Sequence, residues 1–100
     1  MITVIRTGTV NGGSNLAAAM GWAQKTSGFL REHHQLNVTV LTPVGGNPHR
    51  LGWMVTVADM AEFERKSLAF VTDPRYHELL AAGRDLFIPG SVEDTIWRSA

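Results

Sequence analysis

The chain contains no cysteine. Disulfide frameworks, thiol nucleophiles and cysteine-ligated zinc or iron–sulfur sites are excluded with it. Proline is scarce, with four in 100 residues, so regular structure is interrupted only where those prolines fall. Neither sign of charge is in excess: nine Lys and Arg balance nine Asp and Glu. Nucleic-acid binding calls for a clustered basic surface that displaces counterions, whereas these cations are spread from Arg6 to Arg98. No apolar run approaches the roughly 20 residues of a membrane span. The opening Met1-Ile2-Thr3-Val4-Ile5-Arg6 has the pattern of a strand, not of a secretory leader. The expectation is a soluble cytoplasmic protein that engages neither nucleic acid nor membrane.

What is present is order. Hydrophobic residues make up 44% of the chain, enough for one core, and the length predicts a single domain over 1–100. Period-two alternation marks four strands, at Ile2–Val10, Val38–Val44, Leu51–Val57 and Val92–Arg98. Asn11-Gly12-Gly13-Ser14 ends the first, with Ser14 the expected cap of a helix running from Asn15 to about His34. In that helix Leu16, Met20, Ala23 and Leu30 recur at helical spacing, and Trp22 and Phe29 widen the stripe. Gly45-Gly46-Asn47-Pro48 predicts the turn of a hairpin between the second and third strands.

Asp59 and Glu62 have capping-box spacing at the start of a second helix. Asp73-Pro74 then predicts a break near Thr72 and a new helix, because proline donates no N–H yet suits a first helical turn. Gly83 is the expected C-terminal stop. The order strand, helix, strand, repeated once, predicts a ferredoxin-like βαββαβ sandwich with helices on one face of a four-stranded antiparallel sheet.

Each strand has a second face. Thr3, Ile5, Thr7 and Thr9 share it with Thr39 and Leu41, with Met54 and Thr56, and with Glu93, Thr95 and Trp97. Ile5, Leu41, Met54 and Trp97 together make a large apolar patch, which normally implies a partner or ligand. The alternative is a solvated threonine-rich face with scattered apolar residues.

The strand Ile5-Arg6-Thr7-Gly8-Thr9, the step Ala69-Phe70-Val71-Thr72-Asp73-Pro74-Arg75-Tyr76 and the closing Val92-Glu93-Asp94-Thr95-Ile96-Trp97-Arg98 resemble the dimeric α+β barrel superfamily. The resemblance covers nearly the whole chain and is strongest to its NIPSNAP-like and antibiotic-biosynthesis-monooxygenase-like members. It implies a homodimer with sheets facing each other and a pocket between sheet and helices in each subunit. Members of this superfamily include cofactor-free monooxygenases, haem-degrading enzymes, isomerases, lyases and proteins with no known activity, so the fold selects no reaction.

The candidate chemistry is sparse. His33, His34, His49 and His77 lack ligand-type spacing; the expectation is helix-end polar surface for the first two, a hairpin position for His49 and exposed helix for His77. The Asn–Trp–His set of the haem-degrading relatives has no counterpart by position. Arg6 and Asp94 are charges inside strands that a ferredoxin-like sheet makes neighbours, which predicts either a structural ion pair or an anchor for an anionic ligand. Glu93 is a general-base candidate only if buried beside Trp97. Trp22, Trp53 and Trp97 are candidate walls for a planar apolar ligand, with core packing as the alternative for each.

The expected ligand site comprises Arg6, Thr7, Trp22, Thr39, Met54 and Trp97, with no metal and no cofactor. The expected function is binding of a small apolar or aromatic metabolite by a homodimer, with cofactor-independent monooxygenation or isomerisation as its activity. The alternative is a non-catalytic dimerisation or interaction module whose cavity is filled by side chains.

Overall fold

The computed structural model describes the backbone of residues 1–100 and every side chain except that of Ser14. Four strands, β1 (Ile2–Thr9), β2 (Thr39–Leu41), β3 (Arg50–Val57) and β4 (Glu93–Arg98), form one antiparallel sheet in the order β2-β3-β1-β4. Helices α1 (Leu16–His34), α2 (Met60–Val71) and α3 (Pro74–Gly83) complete the ferredoxin-like α+β sandwich. Among the described residues no helix is long and apolar enough to cross a membrane.

The first strand ends one residue short of Val10, which keeps a single bridge to Phe87. The second strand is much shorter than the alternation Val38–Val44 predicts. Its last paired residue is Leu41, opposite Gly52. Pro43, two positions on, has no N–H with which to extend the ladder. The helix expected from Asn15 is preceded by a 3-10 turn over Gly13–Asn15, and the Ser14 side chain lies outside the described residues.

Helix α1 turns small residues toward the sheet. Ala19, Ala23, Thr26, Ser27 and Leu30 are its buried members, and Ala at two successive turns lets helix and strand backbones approach closely. Ser27 Oγ donates to the Val38 carbonyl at 2.7 Å, tying the helix to the entry of β2. The chain leaves α1 through Gln35 in the left-handed region, with φ of 48°. The Gln35 carbonyl accepts from Lys66 Nζ at 2.8 Å, a bond that fastens this corner to α2.

The predicted capping box at Asp59 and Glu62 forms. The Asp59 carboxylate accepts from the Glu62 N–H at 2.8 Å, and Glu62 Oε2 accepts from the Ala58 N–H at 2.7 Å. Asp73 caps α3 by accepting from the Arg75 N–H at 2.9 Å, with Pro74 in the first turn. Helix α3 ends at Gly83, where the sequence places its stop, but not through a left-handed turn. Its φ is −97°, an ordinary value, so no left-handed turn requires glycine there. A Cβ at this position would instead collide with the Trp22 indole. Glycine is needed here as a seat for the indole, not for its backbone freedom.

The core has two adjoining parts. One gathers Val4, Leu30, Leu36, Val38, Val55, Val57 and Tyr76 under α2 and α3. The other gathers Val10, Ala19, Ala23 and Leu51 beneath the N-terminal half of α1. Strand β4 has no such cover: all six of its residues are exposed.

Candidate functional site

Side-chain alternation divides the sheet into two surfaces. Toward the helices point Val4 and Arg6 of β1, Val40 of β2, Leu51, Trp53 and Val55 of β3, and Asp94 of β4, in the rows set by the pairings Val4↔Val55, Arg6↔Trp53 and Arg6↔Asp94. Between these strands and the helices lies a cavity of about 190 Å³. Its sheet wall is Val4, Val55 and Trp53, and its helix wall is Trp22, Thr26 and Leu30 of α1, Phe63 and Phe70 of α2, and Tyr76 and Leu80 of α3. Leu36 and Val38 close one end, and Phe87 and Val92, from the link into β4, stand at another.

Aromatic contacts hold these walls. Trp22 meets Trp53 edge-on with centroids 6.1 Å apart and meets Phe87 at 5.5 Å, while Trp53 and Phe87 are 5.7 Å apart. Edge-to-face packing of this kind adds to area burial because ring edges are positive and faces negative. Trp22 Nε1 donates to the Leu79 carbonyl at 2.7 Å, which fixes the indole against α3. Phe87 covers Gly8, where a Cβ would come within 3.2 Å of its ring. Opposite, Phe70 and Tyr76 pack edge-on at 4.9 Å.

Few polar groups face the cavity with capacity to spare. Thr26 Oγ1 is committed to the Trp22 carbonyl at 2.9 Å, and the Trp22 N–H to Leu79. What remains is a cluster at the open side. Arg6 and Asp94 form a bidentate pair, Nε to Oδ1 at 2.7 Å and Nη2 to Oδ2 at 2.9 Å, with side chains 48% and 44% exposed. The Asp94 carboxylate raises the Arg6 pKa, and Arg6 in turn lowers that of Asp94. Tyr76 is buried; its burial pushes the phenol above its ordinary value, and the nearby Arg6 guanidinium acts in the opposite direction. At neutral pH the phenol is therefore a hydrogen-bond donor rather than a base.

The structure divides the six expected site residues. Arg6 and Trp22 line the cavity, and Met54 reaches its border from β3 although its pairing with Ile5 sets it on the outward surface. Thr7, Thr39 and Trp97 do not line it. Thr7 and Trp97 lie on the opposite surface, because they alternate with Arg6 and Ile96; the six residues cannot line one site while the sheet stands between them. Thr39 sits on the edge strand, beside an open groove with Gln24 and Arg31. Trp97 is 60% exposed and donates its indole N–H to Thr95 Oγ1 at 3.1 Å. Glu93 is exposed and 3.9 Å from Arg50, so the burial a general base needs is lacking.

Tyr76 and Phe87 also line the cavity, and the sequence pattern does not mark them for it. Tyr76 continues a helical stripe and Phe87 precedes a Pro-Gly turn, so nothing local distinguishes either. The available signal was Gly8 near the end of a strand, which invites a ring to lie upon it. His34 also departs from expectation. Its side chain is only 10% exposed, bonded through Nε2 to Asp73 Oδ2 at 2.9 Å and packed between Phe29 and Phe70. His33 and His77 are exposed as expected, with His33 Nδ1 3.3 Å from Arg75 Nη1.

No protein-family model matches the chain, and no curated protein matches its sequence. Solved structures match its fold. A NIPSNAP-family protein of unknown function from Agrobacterium tumefaciens superposes with a TM-score of 0.82 at 20% identity, over 100% of this chain and 88% of its own. An uncharacterised NIPSNAP-domain protein from Burkholderia xenovorans gives 0.84 at 13% identity, over 100% of this chain and 95% of its own. SnoaB from Streptomyces nogalater, a cofactor-independent oxygenase, gives 0.70 at 17% identity, over 98% of this chain and 91% of its own. At these identities the likeness establishes the fold that NIPSNAP and monooxygenase-like proteins share.

Proposed function

Starting from that shared fold, we propose that the protein binds a small apolar or aromatic metabolite in the cavity between its sheet and helices. The observation that carries this reading is the cavity itself: about 190 Å³ of unfilled space, walled by Trp22, Trp53, Phe63, Phe70 and Phe87. An apolar cavity of about 150 Å³ holds benzene, so this one suits a single ring with a short substituent. The apolar wall drives burial of the ring, and the polar groups of Arg6 and Tyr76 at the cavity orient whatever oxygen it carries. The proposed activity is cofactor-independent oxygenation or isomerisation of the bound compound. Its support is the fold shared with a cofactor-independent oxygenase.

The outward surface favours a second element of the reading, self-association. Trp97–Thr3–Thr56, Thr95–Ile5–Met54–Thr39 and Glu93–Thr7–Gly52–Leu41 run across it as rows. Leu41 lies over Gly52, where a Cβ would be 3.2 Å from its own. Threonines let two such sheets meet without unpaired charge, and the apolar members supply the driving force. The proposed dimer joins two copies through this surface and leaves the cavity on the far side of each sheet.

Calorimetric titration with acetophenone, cyclohexanone and anthraquinone tests the ligand reading. Saturable one-to-one binding of the single-ring compounds, with the three-ring compound excluded, is expected. Absence of binding by all of them at millimolar concentration would leave the cavity without a ligand and favour the interaction-module alternative.

A further inference from the structure

We infer that Asp94 sets the charge of the ligand: by neutralising Arg6 it makes the cavity selective for a neutral carbonyl or phenolic compound over the carboxylate of the same shape. The inference rests on the proposed ligand site and deepens it. An arginine at the mouth of an apolar cavity would ordinarily signal a carboxylate or phosphate ligand, since the guanidinium fork matches those groups. Here that fork is already occupied. Nε and Nη2 are both engaged by the Asp94 carboxylate, at 2.7 and 2.9 Å, and both residues line the open side of the cavity.

Two consequences follow for an incoming ligand. Nη1 takes no part in the pair, so Arg6 retains donors for a single acceptor oxygen but not a free bidentate face. A ligand carboxylate would also approach Arg6 with the Asp94 carboxylate alongside, and the repulsion from one offsets the attraction to the other. A neutral oxygen meets no such opposition. It accepts from Arg6 Nη1 or from the hydroxyl of Tyr76, which lines the same cavity, while its ring enters the apolar interior. Apart from Arg6 and Asp94, no charged side chain lines the cavity among the described residues. The charge preference is therefore set by this pair.

Acetophenone and benzoate, which have similar shape and differ in charge, provide the test by calorimetric titration at pH 7. The wild-type protein is expected to bind acetophenone at least about tenfold more tightly than benzoate. Asp94→Asn, which keeps the size of the side chain but removes its charge, is expected to tighten benzoate binding by about tenfold more than it changes acetophenone binding. Asp94→Ser serves the same purpose if the amide of Asp94→Asn re-forms the pair with Arg6, and thermal melts verify that each variant is folded. Arg6→Gln should remove the benzoate gain when combined with either substitution. Equal or tighter binding of benzoate by the wild-type protein, or an unchanged ratio in both Asp94 variants, overturns the inference and leaves the cavity reading standing. Failure of both probes to bind any of the proteins overturns the cavity reading and the inference with it.

Discussion

The two surfaces of one sheet are built from the same strands and do different work. The surface under the helices carries Val4, Leu51, Val55 and Val57, all under 9% exposed, and beside them an unfilled, aromatic-walled space. The outward surface alternates threonines with Ile5, Leu41, Met54 and Trp97, none of which is buried. Burial on the first surface stabilises the fold of one chain. Burial on the second requires another molecule. A single period-two pattern thus encodes both a core and a candidate interface, and the parity of a residue decides which one it serves.

Substitutions matched across the sheet give the most direct way to break this comparison. Leu51 is 1% exposed on the helix side, so Leu51→Ala is expected to lower unfolding free energy by about 2–5 kcal/mol in chemical denaturation. Leu41→Ala, on the outward side, should cost the isolated chain less than about 1 kcal/mol. Similar losses in the two variants would erase the distinction.

Gly83→Ala comes next in size. The added methyl would occupy the place of the Trp22 indole, and displacement of that ring is expected to cost about 1–3 kcal/mol despite the better helix propensity of alanine. The same variant should bind acetophenone more weakly, because the displaced indole enters the cavity. Unchanged stability and binding would show that Trp22 is not held where the structure places it.

Trp97→Lys sharpens the outward side. Light scattering is expected to give a mass of twice the chain's 10.9 kDa for the wild-type protein and the single-chain mass for the variant. Chain stability should change by less than about 1 kcal/mol. A wild-type protein that stays monomeric at micromolar concentration would remove the proposed dimer.

The smallest expected effect lies away from both surfaces, at the junction of α2 and α3. Hydrogen bonds from Arg75, with His34 adding to them, hold the Asp73 carboxyl well below the usual carboxylate range. A depressed folded-state pKa contributes stability that is complete above the unfolded value, near pH 4, and is lost as pH falls through the folded value. The melting temperature should therefore drop as the solution is acidified below about pH 4, and Asp73→Asn should flatten that part of the profile. An identical acid profile in the variant would assign the acid loss to other carboxylates.

Most of the topology was legible in the sequence because each element had a local cause. The Asp73-Pro74 break, the Asp59 cap and the alternation in β1 and β3 act over a few residues, and the structure has them where the pattern places them. The pairing of Arg6 with Asp94 was legible as well, since topology alone makes β1 and β4 neighbours. The site was legible in part. Arg6 and Trp22 stand out as a charge in a strand and a large ring on a helix, and both line the cavity. The extent of β2, the burial of His34, the use of Gly83 as a seat and the cavity roles of Tyr76 and Phe87 depend on contacts between elements distant in sequence. No periodicity carries that information.

The central claim is that a small aromatic compound enters between sheet and helices and not against the outward surface. The three tryptophans report on it directly, because Trp22 and Trp53 line the cavity while Trp97 lies across the sheet. Two-dimensional ¹H–¹⁵N spectra of the indole groups, recorded during titration with acetophenone, should show the Trp22 and Trp53 signals moving to saturation together while that of Trp97 stays in place. Movement of the Trp97 signal alone, or of none of the three, would contradict the account.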